Sequence, residues 1–132
     1  MGPVSAKFEQ RGFKLVAMKL CSPGAEHFKK HYADLSDKPF FEKLVKFASS
    51  GPVVAMVFEG DNVIKTGRRI IGATNSMDRN MGTLRGDLSV ITSNNIIHGS
   101  DCPEAAEAEI KLWFKDEELV TFNHHSQAWI YE

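Results

Sequence analysis

Two apolar runs along the chain predict β-strands. Residues 13–20 form an apolar stretch that lysines interrupt, and residues 52–58 form a continuous apolar run. A continuous run of this length is typical of a central strand that is buried on both faces. We therefore expect a sheet built on these two strands.

Around these strands, the apolar residues recur at helical spacing. The predicted helices span residues 24–32, 39–48 and 62–71. In the second helix, Phe40, Leu44 and Phe47 are spaced so that they lie on one face. Gly72 is expected to end the third helix, because glycine is favoured just past a helix C-terminus.

The segment that follows the third helix has no clear period. Residues 73–87 are polar and contain glycines, so the sequence predicts a long uncovered loop. No repeat or linker interrupts the chain, and residues 1–132 are expected to form a single domain. The mixture of helices and strands favours an α+β fold with an antiparallel or mixed sheet.

Composition excludes several classes of protein. With 42% hydrophobic residues, 25% charged residues and a net charge of −1, the chain has an ordinary globular profile and lacks the basic footprint of a nucleic-acid-binding protein. No apolar run approaches the length of a membrane span, and nothing resembles a secretory signal, so the expected location is the cytoplasm. Cys21 and Cys102 lack the spacing of a zinc site and are expected to be reduced thiols.

The segment that says most about a possible reactive group is Asn94-Asn95-Ile96-Ile97-His98-Gly99-Ser100-Asp101. A histidine that follows an apolar run and precedes a glycine can be held with one ring nitrogen facing a cleft. Proton transfer, metal binding and nucleophilic attack all stay open for His98 at this point. Asp101 and Glu104 have the spacing of a capping box, so a helix is expected to begin just past the histidine.

A carboxylate on this helix is a candidate partner for the histidine. At helical spacing, Ala106, Ile110 and Trp113 form the core-facing stripe, and Glu109 lies at its margin. We therefore expect Glu109 to be half-buried, where a carboxylate needs a partner. It could orient the ring of His98, or it could pair with a cation for structure alone, and spacing weights the two interpretations about equally.

Two arginines suggest phosphate chemistry. Arg68 lies in the third predicted helix and Arg85 near the end of the predicted loop, and guanidinium groups bind phosphoryl oxygens bidentately. Taken singly, each is more often a solvated surface residue. Thr74 and Tyr32 could add hydroxyl donors. A P-loop or a dinucleotide-binding loop is excluded, because neither glycine-rich pattern occurs.

The motif Asn95-Ile96-Ile97-His98-Gly99-Ser100-Asp101 matches the active-site signature of nucleoside diphosphate kinases, and the chain resembles that family from about Phe8 to Glu132. Other shared stretches are His31-Tyr32-Ala33-Asp34-Leu35, Lys38-Pro39-Phe40-Phe41, residues 50–57, 68–75 and 82–87, and Trp129-Ile130-Tyr131-Glu132. The resemblance implies a ferredoxin-like antiparallel sheet with helices. It also implies ping-pong transfer of the terminal phosphate from a nucleoside triphosphate to a nucleoside diphosphate.

The resemblance assigns roles to individual residues. His98 would be the phosphorylated nucleophile, oriented by Glu109 and Ser100. The residues implied to bind the nucleotide are Tyr32, Phe40, Leu44, Arg68, Thr74, Arg85 and Asn95. Among these, Phe40 would stack on the base and Asn95 would contact the sugar. Mg2+ would be carried by the nucleotide phosphates near Asp101, without direct side-chain ligation, and the protein would be a homo-oligomer, with a hexamer favoured.

The chain also departs from the family pattern. Family sequences begin with a strand that ends in Lys-Pro-Asp-Gly, whereas residues 1–8 resemble the interior of the next helix. We therefore expect the sheet to lack its first strand. We also expect reduced activity, because losing a lysine aimed at the transferring phosphate commonly lowers the rate by about 100-fold. Whether the short N-terminus is natural or a truncation stays open.

Smaller departures occur near the motif. Ser76 stands where the family commonly has proline, and Thr92 and Ser93 stand where it often has an apolar residue and a glycine. The alternative function is that of a catalytically weak nucleotide-binding or interaction protein on the same scaffold, acting in mixed oligomers.

Overall fold

The computed structural model describes residues 1–94, 96–125 and 127–130. The chain divides into two compact units. The larger unit comprises Met1–Met18 and Met56–Glu132, and the smaller unit comprises Lys19–Ala55. The expectation of a single domain stays a prediction.

The described residues form seven α-helices and two short strands. The helices are α1 (Gly2–Gln10), α2 (Ala25–His31), α3 (Phe41–Ala48), α4 (Val63–Ile71), α5 (Leu84–Leu88), α6 (Pro103–Trp113) and α7 (Gln127–Ile130). The strands β1 (Lys14–Cys21) and β2 (Val53–Glu59) are hydrogen-bonded neighbours in an antiparallel sheet. Both predicted strands and all three helices predicted before the polar segment form, with boundaries within a few residues. The expectation that the second strand is buried on both faces was wrong, because its residues 53–58 are only half-buried beside the single neighbouring strand described.

The core of the larger unit forms where α1 and α4 pack together. Phe8, Phe13, Ile71 and Leu84 make up its buried cluster, and the ring of Phe8 stacks on Phe58 with centroids 4.7 Å apart. Burying one such side chain stabilises the fold by about 1.5–3 kcal/mol.

A glycine permits this close packing of α1 on α4. A Cβ added at Gly67 would lie 3.0 Å from Cε1 of Phe8. Any side chain at Gly67 would therefore push against the Phe8 ring. The helix α4 then ends where the sequence predicts, with Gly72 in the left-handed region at φ 94°.

The smaller unit is held together by α2 and α3. Phe28 of α2 and Phe41 and Val45 of α3 are its buried side chains. The ring of Tyr32, just past the end of α2, stacks on Phe28 with centroids 6.4 Å apart. These contacts fix the position of Tyr32 within this unit.

The prediction of an uncovered loop over residues 73–87 was wrong. The segment contains a 3-10 turn at Ser76–Asp78, and α5 begins near its end. Thr83 caps α5, since its Oγ1 accepts a hydrogen bond from the Gly86 N–H at 3.0 Å, and Leu84 is fully buried. A helix of one turn is too short to show a period in the sequence, and tertiary burial stabilises it instead.

The predicted capping box at the start of α6 was also wrong. The N-cap is Cys102, whose Sγ accepts a hydrogen bond from the Ala105 N–H at 3.4 Å, and Asp101 precedes it. Pro103 occupies the first helical turn, where its fixed φ suits the helix and its missing N–H costs nothing. The helix still begins just past the histidine motif, which is what positions Glu109.

Candidate active site

His98 is positioned by the residues on either side of it. Ile97 packs against the buried cluster of the larger unit. Gly99 passes so close to Ile71 that a Cβ at this position would collide with Cδ1 of Ile71. The backbone is thus anchored before and after His98, whose side chain is exposed. An anchored backbone with an exposed ring suits a group that must meet a substrate in a fixed orientation.

A carboxylate and a hydroxyl orient the imidazole. Nε2 of His98 lies 2.9 Å from Oε1 of Glu109, and Oγ of Ser100 donates a hydrogen bond to the other carboxylate oxygen of Glu109. The Glu109 side chain is 21% exposed, which confirms its predicted position at the helix margin. A carboxylate acceptor favours a proton on Nε2, and that tautomer places the lone pair of the neutral ring on Nδ1.

Arg85 is buried, whereas an arginine taken singly from the sequence is more often a solvated surface residue. It is 3% exposed. Its Nη1 donates to the carbonyl of Gly72 at 3.0 Å and to Oγ1 of Thr74 at 3.3 Å, and its Nη2 donates to the carbonyl of Ile97 at 2.7 Å. The guanidinium therefore joins the end of α4 to the residue that precedes His98.

Arg68 plays a similar part on the other side of the histidine. It lies in the last turn of α4, half-buried, and its Nη1 donates to the carbonyl of Gly99 at 3.0 Å. The two arginines thus hold the carbonyls of Ile97 and Gly99, which flank His98. This arrangement places two fixed positive charges beside the segment that presents the imidazole, where an anionic substrate group would be stabilised.

The larger unit therefore brings together most of the residues expected at the site. His98, Ser100, Glu109, Arg68, Arg85 and Thr74 are joined by hydrogen bonds through side chains or through the backbone next to His98. Asp101 is exposed and follows Ser100. Asn95, which the resemblance assigns to the sugar, lies outside the described residues.

The remaining expected residues lie in the smaller unit. Phe40 is 50% exposed at the N-cap of α3. Leu44 lies one turn later on the same helix, half-buried, and its N–H donates to the carbonyl of Phe40 at 2.9 Å. Tyr32 is half-buried. Within this unit, Phe40 thus offers an exposed aromatic face with an aliphatic neighbour, which is suited to stacking on a planar ring.

The chain matches a known family over most of its length. The family profile described as nucleoside diphosphate kinase matches residues 1–119. The chain belongs to the nucleoside diphosphate kinase family. The function of this family member is the transfer of phosphate between nucleotides, and the transferase prediction is confirmed.

Individual nucleoside diphosphate kinases resemble the chain closely. A nucleoside diphosphate kinase of Neurospora crassa is 55% identical over 132 residues, which cover 100% of this chain and 87% of the relative. Nucleoside diphosphate kinase B of Mus musculus is 54% identical with the same coverage. The chain spans only about half (54%) of nucleoside diphosphate kinase 4, chloroplastic, of Spinacia oleracea, to which it is 58% identical over 97% of its own length.

Solved structures of the family confirm the predicted fold class. The halophilic nucleoside diphosphate kinase of Halobacterium salinarum, in complex with CDP, matches with a TM-score of 0.96 and 42% identity over 100% of this chain and 88% of that one. A family protein of Babesia bovis matches with a TM-score of 0.94 and 41% identity, over 99% of this chain and 88% of that one. The fold is therefore α+β and ferredoxin-like.

The sequence analysis did not single out one arginine that contacts Thr74, namely Arg79. Arg79 is half-buried, and its guanidinium donates to the carbonyls of Ala73 and Thr74 at 3.1 and 2.9 Å. An arginine in a polar segment without a period looks like a solvated side chain. Its acceptors are mostly backbone carbonyls, which any residue provides, so the sequence carries little signal for these contacts.

Cys102 lies close to the histidine motif but has the character of a structural thiol. The Ala105 N–H that donates to its Sγ favours the thiolate. Burial and the neighbouring Glu104 and Asp101 outweigh that contact and raise the pKa of the Cys102 thiol. A thiol with a raised pKa is a weak nucleophile at neutral pH, which leaves the imidazole of His98 as the better candidate for a nucleophile in this region.

Proposed function

We propose that the chain transfers the terminal phosphate of a nucleoside triphosphate to a nucleoside diphosphate through a phosphate carried on Nδ1 of His98. The observation that carries the proposal is the contact between Nε2 of His98 and Oε1 of Glu109 at 2.9 Å. It orients the ring and leaves Nδ1 as the nitrogen that Glu109 does not hold. Anchoring of the backbone on both sides of His98 gives further support.

In the first half-reaction, the lone pair on Nδ1 attacks the γ-phosphorus of the triphosphate. A P–N bond forms while the bond from phosphorus to the bridging oxygen breaks, and the nucleoside diphosphate leaves with the bonding electron pair. The ring becomes positive as the P–N bond forms. The carboxylate of Glu109, held by Ser100, stabilises that positive charge. A second nucleoside diphosphate reverses these steps and takes the phosphate.

The arginines act on the phosphoryl group. Its transition state is metaphosphate-like, with negative charge spread over the equatorial oxygens. Arg68 and Arg85 are fixed in place by the carbonyls that they bind, so they stabilise this charge without reorganising during the reaction. Thr74 adds a hydroxyl beside Arg85.

Mg2+ would arrive with the nucleotide, where it neutralises the phosphates and orients them. The residues fit an ion held mainly by phosphates and water. Both carboxylate oxygens of Glu109 are engaged by His98 and Ser100, and the nearby carboxylate of Asp101 is exposed. Mg2+ usually keeps several waters and binds one or two carboxylates together with substrate phosphates.

The nucleoside end of the substrate is assigned by resemblance. A relative from Halobacterium salinarum has been solved in complex with CDP, which supports nucleotides as substrates. Four contacts with the nucleotide stay predictions: stacking of the base on Phe40, packing beside Leu44, a phosphate contact from Tyr32 and a sugar contact from Asn95. Stacking does not read base edges, so we expect purine and pyrimidine nucleotides to be accepted.

Labelling with γ-labelled ATP tests the phosphohistidine. We expect an acid-labile, base-stable label on the wild-type chain. We expect His98→Ala to take up none, and His125→Ala, which removes an exposed histidine elsewhere, to be labelled like wild type. Transfer through His98 is ruled out if wild-type protein takes up no more label than His98→Ala. Binding of ADP without any label would then favour the alternative of a nucleotide-binding protein.

The assembly and the location stay predictions. A homo-oligomer, with a hexamer favoured, follows from the family resemblance, and light scattering on the purified chain measures it. In the part of the chain that the structure describes, no helix has both the length and the apolar character needed to cross a bilayer. One similar relative is named chloroplastic, so the cytoplasmic location needs direct imaging of the tagged protein.

A further inference from the structure

The guanidinium of Arg79 joins two stretches of chain that border the site. On one side, Nε donates to the carbonyl of Ala73 at 3.1 Å and Nη2 to the carbonyl of Thr74 at 2.9 Å. On the other side, Nη1 donates to the carbonyl and the Oγ of Ser89, both at 3.1 Å, and to the carbonyl of Ile91 at 3.3 Å. Arg79 therefore joins the two ends of the segment formed by residues 73–91, so that this segment is closed into a loop.

A second link closes the same segment. The N–H of Ser76 donates to Oγ1 of Thr92 at 2.9 Å, and that hydroxyl donates to Oγ of Ser76 at 3.0 Å. The Oγ of Ser89 also donates to the carbonyl of Asn94 at 3.1 Å. The 3-10 turn at Ser76–Asp78 is thereby fastened to the stretch that leads towards His98.

The closed segment contains the groups that are expected to meet the phosphates. Thr74 follows Ala73, and its Oγ1 accepts a hydrogen bond from Nη1 of Arg85. Arg85 continues the connection to the carbonyl of Ile97, next to the catalytic histidine. A continuous series of contacts therefore runs from Arg79 through Thr74 and Arg85 to the residue before His98.

We propose that Arg79 is a positioning residue that sets the place of the Thr74 hydroxyl and the Arg85 guanidinium for the nucleotide phosphates. This inference rests on the proposed function. The planar guanidinium reaches acceptors on both sides at once, which a lysine ammonium at the end of a flexible stem does not reproduce. Without Arg79, the backbone at Thr74 loses its tie to residues 89–91, and the hydroxyl is no longer held against Arg85.

A double-mutant cycle separates positioning from a merely structural role. We expect Arg79→Met to weaken ADP binding in calorimetry by about tenfold and to lower kcat/KM by more than this, with Arg79→Lys in between. In a Thr74→Val background, the same Arg79→Met change should have a much smaller effect, because the group through which it acts is gone. The matched control is Arg69→Met, an exposed arginine on α4, which should bind ADP like wild type.

Loss of stability alone gives a different result. A purely structural Arg79 would lower the melting temperature of Arg79→Met and leave ADP affinity unchanged at temperatures where the variant is folded. The proposal is overturned if folded Arg79→Met binds ADP within about twofold of wild type, or if its effect is undiminished in the Thr74→Val background. Should Arg79→Met fail to fold, Arg79→Lys and Ser89→Ala, which remove only part of the contacts, carry the same comparison.

Calorimetry needs no phosphate transfer, so it keeps the two proposals apart. If the wild-type chain binds ADP but takes up no label, transfer through His98 is ruled out. The calorimetric comparison of the Arg79 variants then still tests the role of Arg79. A wild-type chain that binds no ADP overturns both.

Discussion

At the scale of single residues, the site is organised by groups that hold His98 from both sides. Spacing along the sequence placed Glu109 at the margin of a helix that begins just past the histidine, and the structure confirms that placement with a direct contact. The burial of Arg85 could not be foreseen. It depends on the carbonyls of Gly72 and Ile97, which converge only when α4 and the histidine segment are packed together.

The contact between Glu109 and His98 gives a prediction for catalysis. Glu109→Gln keeps the shape of the side chain but removes the negative charge that stabilises the ring as it becomes positive. Loss of the carboxylate partner of a metal-bound histidine commonly costs about 10–100-fold in activity, and by analogy we expect a loss of this size in the rate of labelling of His98. Rapid-quench measurement of the first half-reaction tests it.

Glu107→Gln is the control for this prediction. It removes an exposed carboxylate from the same helix and should label at the wild-type rate. If Glu109→Gln also labels at the wild-type rate, Glu109 serves structure alone.

At the scale of elements, long periodic segments were predictable and short ones were not. Residues 53–59 and 63–71 carry enough apolar residues to reveal a strand and a helix. In contrast, α5 has a single turn, and its stability comes from the Thr83 cap and from burial of Leu84 against the core. Neither feature produces a period in the sequence, so the segment resembled a loop.

Burial of Leu84 makes α5 a sensitive point of the fold. Leu84→Ala would leave a cavity in a fully buried position, and we expect it to lower the free energy of unfolding by about 2–5 kcal/mol. Urea denaturation measures this change. Leu88→Ala removes a partly exposed leucine from the same helix and should change the free energy by less than about 0.5 kcal/mol. Equal effects of the two substitutions would contradict the role given to Leu84.

At the scale of the whole molecule, pH acts on stability through a half-buried imidazole. In the smaller unit, burial lowers the pKa of His27, and the positive charges of Lys30 and Lys19 lower it further. The folded chain therefore binds this proton less readily than the unfolded chain does. Stability contributed by neutral His27 is fully present at neutral pH, and it is lost as the pH falls below the ordinary histidine pKa of about 6.5.

Unfolding at several pH values tests this linkage. We expect the free energy of unfolding of the whole chain to decrease between about pH 7 and the lowered pKa of His27. In His27→Gln this part of the decrease should vanish. His125→Gln, which replaces an exposed histidine, should keep the wild-type pH profile. A His27→Gln profile parallel to that of wild type would show that other groups cause the dependence.

The sequence by itself determined the strands, the longer helices and the family, and it supplied the prediction that His98 is the reactive histidine. These depend on local periodicity and on a motif of adjacent residues, and both are local features of the sequence. Only the tertiary structure decided that Arg85 is buried, that Arg79 closes the segment beside the site and that α5 exists. Most of the contacts behind these features are made to backbone carbonyls and core side chains, and these carry no sequence pattern. Residue type alone therefore does not encode them, and folding brings them into place.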